Sequence, residues 1–302
     1  MNARRFIAVA AVVFSIGLLS AVAPSAQALR RSIYVSVLDK QGTPVPNLGP
    51  ADFVVREDNR SREILSVEPA TAPMQIALLV DNSARSRNSI RDIRDATNEF
   101  IKGMTSGVVR NEVAVVTVAE RPTVVVDYTV DQPKLLTGAG RIFTQSDSGA
   151  YLLDGLFEIS QGFKKREASR PVIVAISTNG PELSTRYHDQ IVGALRGIGA
   201  AFSIVMVGPP PTDVLSSEGR ERAATLSQGT DATGGRYDNV LAASALAGRL
   251  KQVANELTHQ YLVTYARPDT LIPPERVTIS GKDANLTVRG TPVSEKGNGR
   301  AR

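Results

Sequence analysis

The 302-residue chain has no cysteine and no tryptophan, and only two histidines. Without cysteine there is no disulfide, no thiolate metal ligand, no thiol nucleophile and no thiol to carry a lipid. A chain of this length can bury enough apolar surface to hold a fold without covalent staples. His188 and His259 lie far apart in the sequence and lack the spacing of a metal-binding pair. There is no Gly-x-Ser-x-Gly nucleophile elbow. An aromatic content of 5% with no tryptophan argues against a sugar-stacking cleft.

A basic body is also missing. The formal charge is +5, but Arg4 and Arg5 account for two of these charges. Residues 293–302, with Lys296, Arg300 and Arg302 against Glu295, carry a net two more, so the rest of the chain is near +1. That balance removes the support for a nucleic-acid groove.

The sequence is otherwise that of a globular protein, 42% hydrophobic and 22% charged. Arg4 and Arg5 precede an almost wholly apolar run over 6–22, and Ala26-Gln27-Ala28 follows. This is the pattern of a secretory signal over 1–28, with cleavage expected after Ala28. The alternative is an uncleaved anchor, for which the run is near the short limit of about 20 residues. Phe6 directly after the arginine pair fits a twin-arginine signal poorly. The expectation is an exported protein, periplasmic or secreted, with no stable membrane span after cleavage.

Residues 29–69 read as short strands. Ile33, Val35 and Val37 alternate with polar neighbours, as do Phe53 and Val55, then Ile64 and Val67. From 74 to 259 the period changes. Ile76-Ala77-Leu78-Leu79-Val80 is a continuous apolar run, as expected of a strand covered on both faces. A helix is expected from about 87 to 104, where Ile90, Ile93, Thr97, Phe100 and Met104 form one stripe. Apolar strands at 113–118, 124–126, 172–176 and 202–207 alternate with helical patterns at 152–159, 191–198, 222–226 and 246–257. The fold class is therefore α/β, a doubly wound, mostly parallel, Rossmann-like sheet with helices on both faces.

The two-residue period returns over 260–292, at Tyr261, Val263 and Tyr265, then Val277, Ile279, Leu286 and Val288. These segments are expected to pair with 29–69 as a small β-sandwich-like domain, because 29–69 alone is too short to be stable. Residues 293–302 are polar and glycine-containing and are expected to be a disordered tail.

In such a sheet, ligands bind where strands end. The first buried strand ends in Val80-Asp81-Asn82-Ser83-Ala84-Arg85-Ser86. An Asp followed two residues later by a hydroxyl can hold a hard cation. The same serines, Ser83 and Ser86, suit helix capping. Gly138-Ala139-Gly140 follows no buried strand and is not a dinucleotide fingerprint. Lys164-Lys165-Arg166, at a helix end, complements the helix dipole.

Together with Val35-Ser36-Val37-Leu38-Asp39, Asp52-Phe53 and Glu57-Asp58, the Asp81-Asn82-Ser83 strand end resembles part of a known family. Residues 151–156 and 172–180, Thr233-Gly234-Gly235-Arg236-Tyr237 and Gln260-Tyr261-Leu262-Val263-Thr264-Tyr265 complete the likeness. The chain resembles the von Willebrand factor type A domain, in the bacterial exported variety with β segments on both sides. That resemblance implies protein binding or adhesion rather than catalysis. It also implies a metal-ion-dependent adhesion site built from Asp-x-Ser-x-Ser, a Thr in a second loop and an Asp in a third.

Asp81 and Ser83 match that set and are the metal positions of the implied site. Arg85 stands where the second Ser belongs, and Ser86 is one place late. Ala150 takes the Thr position, with Ser148 nearby, and Thr178 or Asn179 stands where the Asp is expected. The site is thus a degenerate one, with Mg²⁺ the only cofactor to consider. A charge such as Arg85 at 4 Å from a cation costs roughly 4 kcal/mol at an effective dielectric near 20. Arg85 is expected to replace the ion in part, by pairing with Asp81 or by presenting a cation to an acidic ligand; the alternative is that it points into solvent. The partner is expected to be a protein in the envelope or outside the cell. The competing readings are a structural scaffold whose β domain makes the contacts, and a hydrolase using loop Asp and Ser residues such as Asp81 with Asp147.

Overall fold

The computed structural model describes residues 28–209, 216–268, 272 and 274–294. The export signal expected over 1–28, apart from the Ala28 backbone, and tail residues 295–302 lie outside the described residues. Among the described residues no helix is long and apolar enough to cross a membrane.

The chain opens with β1 (Ala28–Leu38), β2 (Phe53–Glu57), β3 (Arg60–Arg62) and β4 (Ile64–Pro69). The α/β unit then runs β5 (Gln75–Val80), α1 (Ile90–Thr105), β6 (Glu112–Thr117), β7 (Thr123–Thr129) and α2 (Gln132–Ala139). It continues through α3 (Leu152–Arg166), β8 (Pro171–Thr178), α4 (His188–Ile198), β9 (Ala201–Val207), α5 (Ser217–Thr233), β10 (Tyr237–Val240) and α6 (Leu246–Thr258). The last strands are β11 (Tyr261–Pro268), β12 (Val277–Gly281) and β13 (Thr287–Pro292).

Six strands form the central sheet in the order β10-β9-β8-β5-β6-β7, parallel except for β7 at one edge. The continuous apolar runs follow from layers on both faces. In β5, Ile76, Leu78 and Val80 enter one core with Phe100 of α1 and Leu250 of α6. Ala77 and Leu79 enter the other, with Leu156 of α3 and Phe202 of β9. Strand β8 divides in the same way, Val174 to the first core and Ala175 to the second. The runs Ile76–Val80 and Val172–Ile176 are therefore apolar throughout because each successive side chain meets a different helical layer.

The remaining strands make two sheets, β13-β1-β11-β4 and β12-β2-β3. Strand β1 pairs antiparallel with β11 and β13, and β2 pairs with β12, so chain from both sides of the α/β unit is interleaved. Ile33, Val35, Val37, Phe53, Val55, Tyr261, Val263 and Tyr265 form the core between the sheets.

Three local features differ from the sequence reading. The helix expected from 87 starts as a 3-10 turn, Ala84–Ser89, and becomes α-helical only at Ile90. Helix α2 and strand β10 were not expected. The α2 helix is short and proline-started, with Asp131 Oδ1 accepting from the Lys134 N–H at 3.0 Å. Gly138 belongs to this helix, and a Cβ there would lie 2.0 Å from Val126 Cγ2, so its smallness serves packing. Strand β10 is an edge strand of Tyr-Asp-Asn-Val with one buried residue, and it lacks the apolar run of its neighbours.

Arg170, just before β8 and only 3% exposed, links the two units. Its Nη1 donates to Ala72 O at 2.7 Å and its Nη2 to Gln260 Oε1 at 2.8 Å. Gln260 Nε2 in turn donates to Ser36 Oγ of β1 at 3.0 Å. The guanidinium lies 4.3 Å from the Tyr34 ring centroid. Burial pushes the Arg170 pKa down to about 10. Arg170→Ala should destabilise the protein by about 3 kcal/mol, because it strands several buried acceptors. Arg170→Lys should recover only part of this loss. Equilibrium urea unfolding measures both, and a loss below about 0.5 kcal/mol for Arg170→Ala would show that the link is dispensable.

Candidate functional site

Strands β5 and β8 end side by side, with Val80 opposite Ile176 and the Asp81 N–H donating to Ile176 O at 2.8 Å. This register delivers Asp81, fully buried, to the end of the neighbouring strand. Its Oδ1 accepts from the Ser83 N–H at 2.9 Å. Its Oδ2 accepts from Ser177 Oγ at 3.1 Å, the Thr178 N–H at 2.9 Å and Thr178 Oγ1 at 2.7 Å. A buried carboxylate needs such donors or a cation. Here the donors come from the protein.

The flanking residues fix the loop. Asn82 Oδ1 accepts from the Ala119 N–H at 3.1 Å, and its Nδ2 donates to Phe143 O at 2.9 Å. Ser86 Oγ donates to Ser83 O at 2.8 Å, so it does not cap a helix by accepting from an N–H. Ser83 does not cap either, since its side chain makes no capping bond and its buried Oγ has no partner. The capping alternative is thus corrected for both serines.

Backbone bonds tie three loops into one face. Ala84 N–H donates to Ser148 O at 3.2 Å and Gln145 N–H to Asn82 O at 2.8 Å. Ala150 N–H donates to Pro181 O at 3.0 Å, and Leu183 N–H to Ala150 O at 2.8 Å. Ala150 is buried and offers no side-chain oxygen. Ser148 Oγ is turned to Gln145 O at 3.0 Å. Thr178 is committed to Asp81, while Asn179 Nδ2 donates to the Gly208 and Pro209 carbonyls. Asp147 is exposed in a left-handed turn at φ 58°, whereas Asp81 is sealed, so the two do not form a working carboxylate pair.

Arg85 is exposed and does not pair with Asp81, whose oxygens are already engaged. Its stem instead crosses Gly180. A Cβ on Gly180 would sit 2.9 Å from Arg85 Cβ and 3.6 Å from Thr178 Oγ1, so the missing side chain makes room for the crossing. The pairing half of the Arg85 expectation is corrected by this geometry.

These residues do not fit a divalent cation. A hard ion wants several oxygen donors with carboxylate charge among them. The carboxylate at the strand end, Asp81, is filled by four protein donors, and Ser83 Oγ beside it is a buried hydroxyl with no partner. Among the described residues no three His, Asp or Glu side chains cluster as a metal site. The histidines are also elsewhere: His188 Nδ1 lies 2.8 Å from Glu221 Oε2, and His259 Nδ1 lies 2.7 Å from Asn255 O. Lys164, Lys165 and Arg166 occupy the last turn of α3, with Arg166 Nη2 3.0 Å from Asp127 Oδ1.

Ser177, Glu182 and Arg222 were missed from sequence. Glu182 is 3% exposed, its Oε1 accepts from the Ser184 N–H at 3.3 Å, and its Oε2 has no partner. Arg222 of α5, also buried, donates from Nη1 to Gly180 O. Burial pushes the Glu182 carboxyl up to about 7, against weaker opposing effects of Ser184, Arg222 and the Leu153 N–H. The only sequence signal was a carboxylate two residues after Gly180.

A raised carboxylate pKa stabilises the fold below its unfolded value, near 4.5, and that stability is lost as pH rises through about 7. Glu182→Gln should therefore be more stable than wild type at roughly pH 8, by up to about 3 kcal/mol, and show little gain at roughly pH 5. Urea unfolding at the two pH values tests this, and parallel curves would contradict it. Thr178→Val should cost about 1–3 kcal/mol by stripping a donor from Asp81, whereas Ser83→Ala should be neutral or stabilising. Melting temperatures in the reverse order would contradict the assignment of donors.

Residues 76–181 match the family profile described as von Willebrand factor type A domain. Among solved structures, a von Willebrand factor type A protein from Catenulispora acidiphila is 12% identical, with a TM-score of 0.50 over 89% of this chain and 74% of that one. Proximal thread matrix protein 1 from the mussel byssus is 13% identical, with a TM-score of 0.50 over 64% of this chain and 49% of its own. These likenesses concern the fold. No curated protein matches the chain. The six-stranded α/β unit, with Asp81 at the end of its β5 strand, has the von Willebrand factor type A fold, residues 76–181 within it match that family's profile, and β sheets from both sides of the sequence flank it.

Proposed function

We propose that this chain is an exported, non-enzymatic protein-interaction module that meets its partner with the loop face around Asp81, Ala150 and Thr178. The observation that carries the reading is the knitting of three loops, through Ala84 to Ser148 and Ala150 to Pro181 and Leu183, into one preformed face. A preformed face lowers the ordering cost of binding. It exposes Arg85, Phe143 and Leu183, a mixture of charge and apolar surface suited to a protein partner. The metal-ion-dependent site is degenerate in this reading, and Asp81 supports the loops rather than the ligand.

Export is supported by the basic start, the apolar run over 6–22 and Ala26-Gln27-Ala28. The partner then lies in the envelope or outside the cell. Fractionation with N-terminal sequencing should find the protein outside the cytoplasm, starting at Leu29. A full-length cytoplasmic protein would sink this part of the proposal.

Affinity capture from the cell envelope tests the binding face. Phe143→Ser and Leu183→Ser should each reduce recovery of a specific partner by up to about tenfold while the protein stays folded. Unchanged recovery with both variants would favour a scaffold whose β sheets make the contacts. Asp81→Ala is a poor probe, because it would strand four buried donors. Calorimetry with Mg²⁺, Mn²⁺ and Ca²⁺ should show no single-site heat, and a tight site would overturn the degenerate reading.

A further inference from the structure

We propose that the open edge of β10 is the seam of a two-fold dimer, in which a second copy of this chain continues the central sheet strand to strand. The inference is independent of the loop face and of what that face binds.

The two ends of the central sheet are built differently. Strand β7, at one end, pairs with β6 through a register that shifts between Val113 and Val115 and again between Val115 and Val116. Such irregularities turn an edge away from further pairing. Strand β10, at the other end, runs along β9 in unbroken register, from Tyr237 opposite Ile204 to Val240 opposite Val207. Among the described residues no strand lies on its far side. The strand, Tyr237-Asp238-Asn239-Val240, holds no lysine and no proline. Its one charged side chain is engaged within the chain, since Asp238 pairs with Arg236 at 2.6 Å and Arg236 also with Glu256 of α6 at 3.2 Å. Apart from its short length, this edge lacks the devices that prevent pairing.

The hydrogen-bond pattern shows which groups face outward. Arg236 O accepts from the Ile204 N–H and Val240 O from the Gly208 N–H, each at 2.9 Å. The N–H and C=O of one strand residue point to the same side, and the sides alternate along the strand. Arg236, Asp238 and Val240 therefore serve β9, while Tyr237 and Asn239 turn both groups outward. Side chains alternate as well. Val240 enters the first core, so Tyr237 and Asn239 lie on the opposite face, where a groove along α5 is lined by Met206, Ala223 and Leu226. Tyr237 is 46% exposed and Leu241, directly after the strand, 76%.

A second copy is the occupant because this edge is self-complementary. Antiparallel pairing with Asn239 on the two-fold axis sets it against the partner's Asn239, and sets Tyr237 against the partner's Leu241. The outward groups of the two Asn239 residues then bond to each other, and the exposed apolar side chains of the edge cover one another. On the other face Asp238 meets the partner's Val240, so no like charges stand directly opposite. A two-fold contact uses both β10 edges, and association stops at two.

The test uses the full mature chain, which has no cysteine of its own. Sedimentation equilibrium over a roughly hundredfold concentration range should show reversible association ending at two copies. Asn239→Pro should abolish it with little change in melting temperature, because the lost N–H faces away from β9 and proline is accepted on such an edge. The double variant Tyr237→Lys with Leu241→Lys should weaken association at least roughly tenfold by setting like charges opposite each other. Under mild oxidation Asn239→Cys should form a disulfide-linked dimer at least roughly ten times faster than Val124→Cys on the β7 edge. A chain that stays monomeric throughout, association that continues past two copies, or association unchanged by both the proline and the double lysine variants would overturn the proposal. So would equal cross-linking at positions 239 and 124. Phe143→Ser and Leu183→Ser should leave the dimer intact, and its loss in both would place the contact on the loop face instead.

Discussion

The hydrogen-bonded burial of the Asp81 carboxylate is the constraint on which the functional end of the molecule depends. An ionised carboxylate removed from water must be met by a cation or by several donors, since its lost hydration is otherwise far larger than the net stability of a fold. The donors are the Ser83 N–H on its own loop and Ser177 and Thr178 at the end of β8. Satisfying one side chain thus fixes the first loop to the third. The second loop is then held by the Ala84 and Ala150 backbone bonds. The buried charge joins the first loop to the third, and the backbone bonds add the second.

A similar economy joins the two units without covalent links. The chain has no disulfide available, and its β sheets are assembled from segments more than two hundred residues apart, such as Ser32 opposite Thr264. Arg170 bridges the linker carbonyl of Ala72 to Gln260 at the entrance to β11. On another side Glu256 of α6 receives Arg236 at 3.2 Å and Arg289 of β13 at 2.5 Å. These are multidentate, partly buried contacts rather than exposed pairs, so they are not lost to solvent screening. Arg289 thereby holds β13 against the last helix of the α/β unit, and Arg236 ties that helix to the start of β10.

Much of the fold was legible because burial writes a period into the sequence. The run Ile76-Ala77-Leu78-Leu79-Val80 has no alternation because both its faces are covered, while Ile33, Val35 and Val37 alternate because only one face of β1 meets the small core. Helix α2 was illegible because its Pro, Gly and Thr content disguises a short amphipathic turn whose buried side chains are Leu135 and Ala139. Strand β10 was illegible because an edge needs little apolar surface. At the site, the place of Asp81 followed from its position at a strand end, but its partners did not. Thr178 lies 97 residues further on, and only the register of β5 against β8 brings it within 2.7 Å. The path of Arg85 was equally hidden, since it depends on the missing side chain of Gly180.

The departures at Arg85, Ala150 and Asn179 make physical sense together. In the proposed metal-free reading, a second carboxylate at position 179 would add a like charge to the face, a cost of roughly 4 kcal/mol if it came within about 4 Å of Asp81 at an effective dielectric near 20. Asn179 avoids that charge and spends its amide on the Gly208 carbonyl at 3.3 Å. A hydroxyl at position 150 would need a partner in a buried place, whereas Ala150 needs none. An arginine at position 85 would repel a bound cation, but with Asp81 already satisfied it is free to lie across Gly180 and face outward.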